Sequence, residues 1–176
     1  MLNATLTLHP EYTISPVDPR LFGGFAEHIG RHIYEGIYEP SHPTADEQGF
    51  RQDVIALVRE LNMPINEYYG QTECNLVIGS NANLFPIRPG SMGRATPGFD
   101  VRIVNDKGEE LPRGTRGIIG VRQPCPCTMI EYWRNPEATA KKYAGEFLLT
   151  GDLGIQDEDG YFWYVSREDD VITTAG

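Results

Sequence analysis

The sequence predicts an α+β chain in which a strand, loop and helix opening is followed by a mostly antiparallel, β-barrel-like unit. Three observations predict it. Ala4-Thr5-Leu6-Thr7-Leu8 alternates with period two, the pleat of a half-buried strand. Phe50, Val54, Leu57, Val58 and Leu61 recur at helical spacing and mark one apolar face. From residue 99 onward, short apolar runs are separated by Asn, Asp and Gly clusters, which is the punctuation of hairpins.

Taken in order, Leu21-Phe22-Gly23-Gly24-Phe25-Ala26 is a second strand candidate whose glycines permit close backbone approach. The helix follows, with Arg51, Asp53, Arg59 and Glu60 off its apolar face and Pro64 marking its end. Phe99-Asp100-Val101-Arg102-Ile103-Val104 alternates weakly and runs into the turn Asn105-Asp106-Lys107-Gly108, where glycine supplies positive φ. Gly117-Ile118-Ile119-Gly120-Val121-Arg122 resumes a strand. Asn135-Pro136-Glu137 supplies an N-cap, a proline at the first helical position and an early acid, so a short helix is expected through Ala140 to about Tyr143. Phe147-Leu148-Leu149 and Tyr161-Phe162-Trp163-Tyr164-Val165 form a last strand pair across the turn Asp157-Glu158-Asp159-Gly160.

Composition narrows the function classes. With 9 Tyr, 7 Phe and 2 Trp the chain carries too many aromatics for a disordered tail, and it has no apolar stretch of the roughly 18 residues a membrane helix needs. Met1 to Tyr12 has neither a basic flank nor an apolar core of signal-peptide length, so a cytoplasmic location is expected. A net charge of −10 repels phosphate backbones and anionic lipid heads, so neither nucleic acid nor a membrane surface is an expected partner. Cys74, Cys125 and Cys127 lack zinc-knuckle spacing and read as free thiols.

A composition change divides the chain after Ile65. His9, His28, His32 and His42 all precede it; Lys107, Lys141 and Lys142 all follow it. Charge does not separate the parts, since nine acids and four bases precede the change and sixteen acids and eleven bases follow it. No low-complexity linker joins them, so 1–65 and 66–176 are read as two segments meeting abruptly.

In the second segment, Tyr68-Tyr69-Gly70-Gln71-Thr72-Glu73 is followed by Thr150-Gly151-Asp152 and by Arg167-Glu168-Asp169-Asp170-Val171-Ile172. Between them lie Arg88-Pro89-Gly90-Ser91-Met92-Gly93 and Tyr132-Trp133-Arg134-Asn135-Pro136-Glu137-Ala138-Thr139. Taken singly, Tyr69 reads as a core aromatic, Thr72 as a turn hydroxyl, Asp152 as a turn or cap residue and Arg167 as a solvated charge. As an ordered set they resemble the adenylate-forming superfamily, and within it AMP-forming acyl-CoA synthetases of the acetyl and medium-chain type. The resemblance implies a nucleotide site binding ATP or AMP, with magnesium, CoA and a small carboxylic acid as the other reactants. It implies that Tyr69 offers an aromatic face to adenine, with Gly70 beside it, and that Thr72 donates to the α-phosphate. Glu73 is the implied magnesium ligand, Asp152 and Arg167 hold the ribose, and Asp169 is a hinge. The family's phosphate loop and C-terminal lid fall outside the resemblance. No complete catalytic set is therefore expected, and the chain by itself is expected to be inactive or to act as a non-catalytic nucleotide-binding module.

In the first segment, Asp18-Pro19-Arg20-Leu21-Phe22-Gly23-Gly24-Phe25-Ala26-Glu27-His28-Ile29-Gly30-Arg31, Ile33-Tyr34-Glu35-Gly36-Ile37-Tyr38-Glu39-Pro40 and the run from Asp53 to Leu61 resemble the head of a family 51 α-L-arabinofuranosidase. That resemblance implies the opening segment of a (β/α)-barrel, with Glu27 helping to bind a furanose. A retaining glycosidase needs two carboxyls about 5 Å apart on distant barrel strands. Glu35, Glu39, Asp46 and Glu47 are the nearest acids in sequence, and no such pair is expected among them. The most economical account is a chimera of the two families. Its second segment would expose faces that normally pack on missing subdomains, so self-association is expected.

Overall fold

In the computed structural model, which describes residues 15–16, 31, 33–62 and 64–168, the chain divides into two units, Met1–Met63 and Pro64–Gly176. The strand candidates at 4–8 and 21–26, with Glu27, His28 and His32, lie outside the described residues. Of the expected barrel opening, only the helix is therefore on view.

That helix, α1, spans Gln52–Glu60. Side chains on the preceding loop prepare its start: Asp46 Oδ1 accepts the amides of Gln48 and Phe50, and Thr44 Oγ1 donates to Asp53 Oδ1 at 2.6 Å. Arg51 Nη2 lies 2.7 Å from Asp53 Oδ2, and Tyr38 meets Phe50 edge to face. The helix ends earlier than Pro64. Leu61 caps it and Asn62 turns left-handed at φ 49°, a conformation Asn tolerates and one that stops the helical ladder. No residue of α1 is buried, and the apolar side chains of Leu57 and Leu61 are more than half exposed. Three of the four acids considered for a glycosidase pair have other partners: Glu35 meets Arg31 at 2.8 Å, Glu39 meets Arg51 at 3.4 Å, and Asp46 accepts amides of its own loop.

The second unit is built from antiparallel strands. A three-stranded sheet runs in the order β1 (Tyr68–Gln71), β2 (Asn75–Gly79), β3 (Arg94–Ala95). The larger sheet is formed by β4 (Val101–Val104), β5 (Arg116–Arg122), β6 (Tyr143–Ala144), β7 (Phe147–Gln156) and β8 (Phe162–Arg167), in the order β4-β5-β7-β6 with β8 also paired to β7. Both predicted turns form. Asn105 Oδ1 accepts the amides of Lys107 and Glu109, with Gly108 at φ 77°, and Asp157 Oδ1 accepts the amide of Tyr161.

In the larger sheet, pleat alternation sorts neighbouring side chains to two faces. Val77, Ile78, Met92, Val121, Leu148 and Phe162 belong to one buried cluster, whereas Val104, Ile118 and Phe147 form a second. The β-barrel-like expectation takes the form of two sheets that share a core and meet at a backbone bridge. There, Phe162 donates its amide to Gly93 O at 2.8 Å, and its carbonyl accepts from the Met92 amide and the Ser91 hydroxyl, both at 2.9 Å.

Helix α2 (Pro136–Lys141) precedes β6 and stops short of Tyr143, because Tyr143 pairs with Leu148 as the first residue of β6. Asn135 caps α2 as predicted, its Oδ1 accepting the Ala138 amide at 3.1 Å. Asn135→Ala is expected to lower the unfolding free energy by about 1 kcal/mol, measured as a shift of the urea midpoint at unchanged slope. All three cysteines are free, and burial pushes the Cys74 thiol above its ordinary pKa. Among the described residues, no helix is long and apolar enough to cross a membrane.

Candidate nucleotide site

Asp152 is the centre of the site. It lies on β7, directly opposite Arg167 on β8, and is 5% exposed. The buried Thr150 hydroxyl donates to Ile119 O and accepts the Asp152 amide, which fixes the local backbone. Asp152 Oδ2 accepts from the Tyr69 hydroxyl at 2.7 Å and from Gln71 Nε2 at 2.6 Å, while Oδ1 lies 3.4 Å from Arg167 Nη1. With Oδ2 engaged by two neutral donors from β1, Oδ1 keeps acceptor capacity beside the half-exposed guanidinium.

Tyr69 packs against the main core cluster and is half-buried. Burial, followed by its bond to Asp152, raises the Tyr69 hydroxyl far above its ordinary pKa, so it remains a proton donor. Gly70 has a structural reason to be glycine. A β-carbon there would fall 2.0 Å from Asn75 O, where β1 and β2 slip register between Tyr69 and Gly70.

The turn between β1 and β2 carries Thr72 and Glu73. Thr72 is exposed and lines an open cleft of about 550 Å³ together with Gly70, Gln71, Asn75, Leu76 and Cys127. Glu73 Oε1 accepts from the Tyr132 hydroxyl at 2.6 Å, and that bond is the main cause holding its carboxyl below the ordinary pKa. The same bond pushes the Tyr132 hydroxyl up to about 12. Among the described residues, no group of three or more His, Cys, Asp or Glu could hold a metal unaided. An ionised carboxylate beside an exposed hydroxyl nevertheless fits magnesium, which takes one or two protein carboxylates and completes its shell with substrate phosphates and water.

The structure thus brings Tyr69, Gly70, Thr72, Glu73, Asp152 and Arg167 into one neighbourhood of the second unit. Asp169 and Glu27 lie outside the described residues. Sequence reasoning gave no role to Gln71 or Tyr132, although both stand inside motifs it singled out, because their partners are 81 and 59 residues away.

Residues 48–133 match the family model described as AMP-binding enzyme. The chain is 39% identical over 126 residues to an uncharacterized acyl–CoA ligase of Bacillus subtilis (strain 168), covering 72% of this chain and 24% of that protein. It is 48% identical over 118 residues to a mitochondrial acyl-coenzyme A synthetase of Pongo abelii, covering 65% and 20%. A solved structure of O-succinylbenzoate coenzyme A synthetase from Bacillus subtilis, in complex with ATP and magnesium ion, superposes with a TM-score of 0.59 at 26% identity, covering 70% of this chain and 26% of that one. Over the matched residues this chain is similar to AMP-binding enzymes and acyl-CoA ligases. The matched part of the chain spans only about a fifth to a quarter of the length of these curated relatives. Its match begins at residue 48 and so takes in α1, ahead of the composition change at Ile65. These matches lend no support to the arabinofuranosidase resemblance or to a chimera.

Proposed function

We propose that the adenylate-forming segment supplies the ribose-binding and phosphate-facing wall of an AMP-forming acyl-CoA synthetase, which uses Mg-ATP to convert a carboxylic acid to acyl-AMP and then to its CoA thioester. The observation that carries this reading is the convergence on Asp152 of Tyr69, Gln71 and Arg167. Two strands distant in sequence, β1 and β8, orient one nearly buried carboxylate and leave one of its oxygens beside a cation. In this reading Asp152 Oδ1 accepts from ribose hydroxyls, and Arg167 donates to the same sugar. Tyr69 and Gly70 border adenine, and Thr72 donates to the α-phosphate. Glu73 would hold magnesium, which when bound offsets phosphate charge. In this reading the activity assigned to this chain alone is nucleotide binding rather than turnover.

AMP is therefore expected to raise the melting temperature without pyrophosphate exchange into ATP. At a hundredfold excess over Kd the stabilisation is about 2.7 kcal/mol. Arg167→Ala removes only a half-exposed side chain, so it is expected to melt like the parent without AMP and to lose most of the AMP-dependent rise. A parent whose melting ignores millimolar AMP would sink this reading.

The division of the chain at Met63/Pro64 favours a second reading for the head. There, residues 1–65 derive from an arabinofuranosidase whose Glu27 contacts sugar, joined near residue 65 to the ligase part. A cytoplasmic location and self-association through exposed apolar side chains such as Leu76 and Ile130 complete that proposal. A single-molecule read of source DNA across the codons for residues 63–69 tests the join. One uninterrupted locus makes it natural, and two loci make it an assembly of separate genes.

A further inference from the structure

We infer that Tyr132 is a positioning residue, whose hydroxyl holds the Glu73 carboxylate in the orientation that meets a divalent cation at the nucleotide phosphates. The inference rests on the proposed nucleotide site. Glu73 stands in a turn next to exposed Thr72, where an unrestrained carboxylate would sample several rotamers. Two bonds from one loop restrain it. The Met129 amide donates to Glu73 O at 2.7 Å, and the Tyr132 hydroxyl donates to Glu73 Oε1 at 2.6 Å.

That loop is itself anchored. The Tyr132 amide donates to Thr139 Oγ1 at 2.9 Å, Thr139 Oγ1 donates to Asn135 O at 2.9 Å, and the Tyr143 hydroxyl donates to Met129 O at 2.8 Å. The loop also places Cys127 on the wall of the cleft that Thr72 lines. One element therefore both shapes the cleft and aims the carboxylate. Because Tyr132 carries a single hydroxyl proton and directs it at Oε1, the second carboxylate oxygen of Glu73 is the one presented to a cation. Partners that orient a ligating carboxylate commonly change metal affinity by about 10-fold or more when removed.

The test uses the full 176-residue chain and Mn–ATP as probe, with binding followed by water proton relaxation and metal-free ATP binding measured in parallel. Tyr132→Phe is expected to weaken Mn–ATP roughly tenfold while leaving metal-free ATP binding and the urea midpoint near the parent's. Glu73→Gln is expected to abolish the metal-dependent increment. Tyr132→Gln, which restores a donor, is expected to recover part of the loss, an effect a purely structural role would not give. If Tyr132→Phe binds Mn–ATP like the parent while Glu73→Gln does not, the positioning role is overturned and the Glu73 assignment stands. If the parent shows no metal-dependent increment, or Glu73→Gln keeps it, the Glu73 assignment fails and the inference falls with it.

Discussion

Asp152→Ala is expected to cost about 3 kcal/mol of unfolding free energy and to remove detectable AMP binding. The side chain is nearly buried, and its loss leaves the Tyr69 hydroxyl without its Asp152 acceptor and Gln71 Nε2 with only the Thr150 carbonyl. A donor that loses its acceptor costs about 1–3 kcal/mol, so the Tyr69 hydroxyl together with the lost Gln71 bond accounts for the figure. Asp152→Asn keeps the shape and one acceptor but turns an NH2 group toward a site surrounded by donors, and a smaller loss of about 1–2 kcal/mol is expected. Urea unfolding followed by tryptophan fluorescence measures both, because Trp163 donates to Asp157 Oδ2 at the end of β7 and reports on the same sheet. A midpoint for Asp152→Ala within experimental error of the parent's would show that the three-way junction does not form in solution.

The other large effect is expected at Gly93. It sits at φ 99°, and an added β-carbon would lie 2.1 Å from Gly79 O, 2.2 Å from Gly79 C and 2.5 Å from Ser80 N. All three are backbone atoms of β2 and its continuation, so no side chain can swing aside. Backbone strain of about 1–2 kcal/mol adds to overpacking of about 1–3 kcal/mol, and Gly93→Ala is expected to destabilise by about 3–5 kcal/mol. The damage falls where the sheets are joined, so the Phe162 amide should lose hydrogen-exchange protection before the β4–β5 hairpin does. Gly98→Ala separates the two causes: φ there is 95°, but nothing lies within 4 Å of the added carbon, so only the strain of about 1–2 kcal/mol remains. Equal losses at the two positions would refute the steric argument.

Features set by neighbours in sequence were legible in the sequence. Asn105, Gly108, Asn135 and Asp157 act on amides within four residues, and a turn or cap needs no knowledge of the rest of the fold. The helix end was misplaced because Asn62, a residue with a permissive backbone, acts before Pro64 does. Strands β1 and β2 escaped notice because Leu76-Val77-Ile78 is short and non-alternating, and the register slip at Gly70 interrupts the period on the partner strand. The site residues were legible only as a family pattern. Nothing local to Tyr69 or Gln71 announces a carboxylate more than eighty residues away, and nothing local to Tyr132 announces Glu73. Pattern also assigned Tyr69 a face for adenine, whereas the structure adds a second task for the same residue through its hydroxyl.

The bridge between Gly93 and Phe162 also sets a timetable for synthesis. A ribosome makes β1, β2 and β3 first, and these strands already carry Val77 and Ile78, which the finished unit buries completely. The strand that bridges to them, β8, arrives about seventy residues later, which at roughly 5–20 residues per second is a delay of about 4–14 s. Asp152 and Phe162 emerge at nearly the same time, so the sheet junction and the cluster around Asp152 are completed together. A nascent chain stalled before β7 would present β1 with its tyrosine and glutamine but no carboxylate for them to hold, and release of β8 would complete the cover of the early strands.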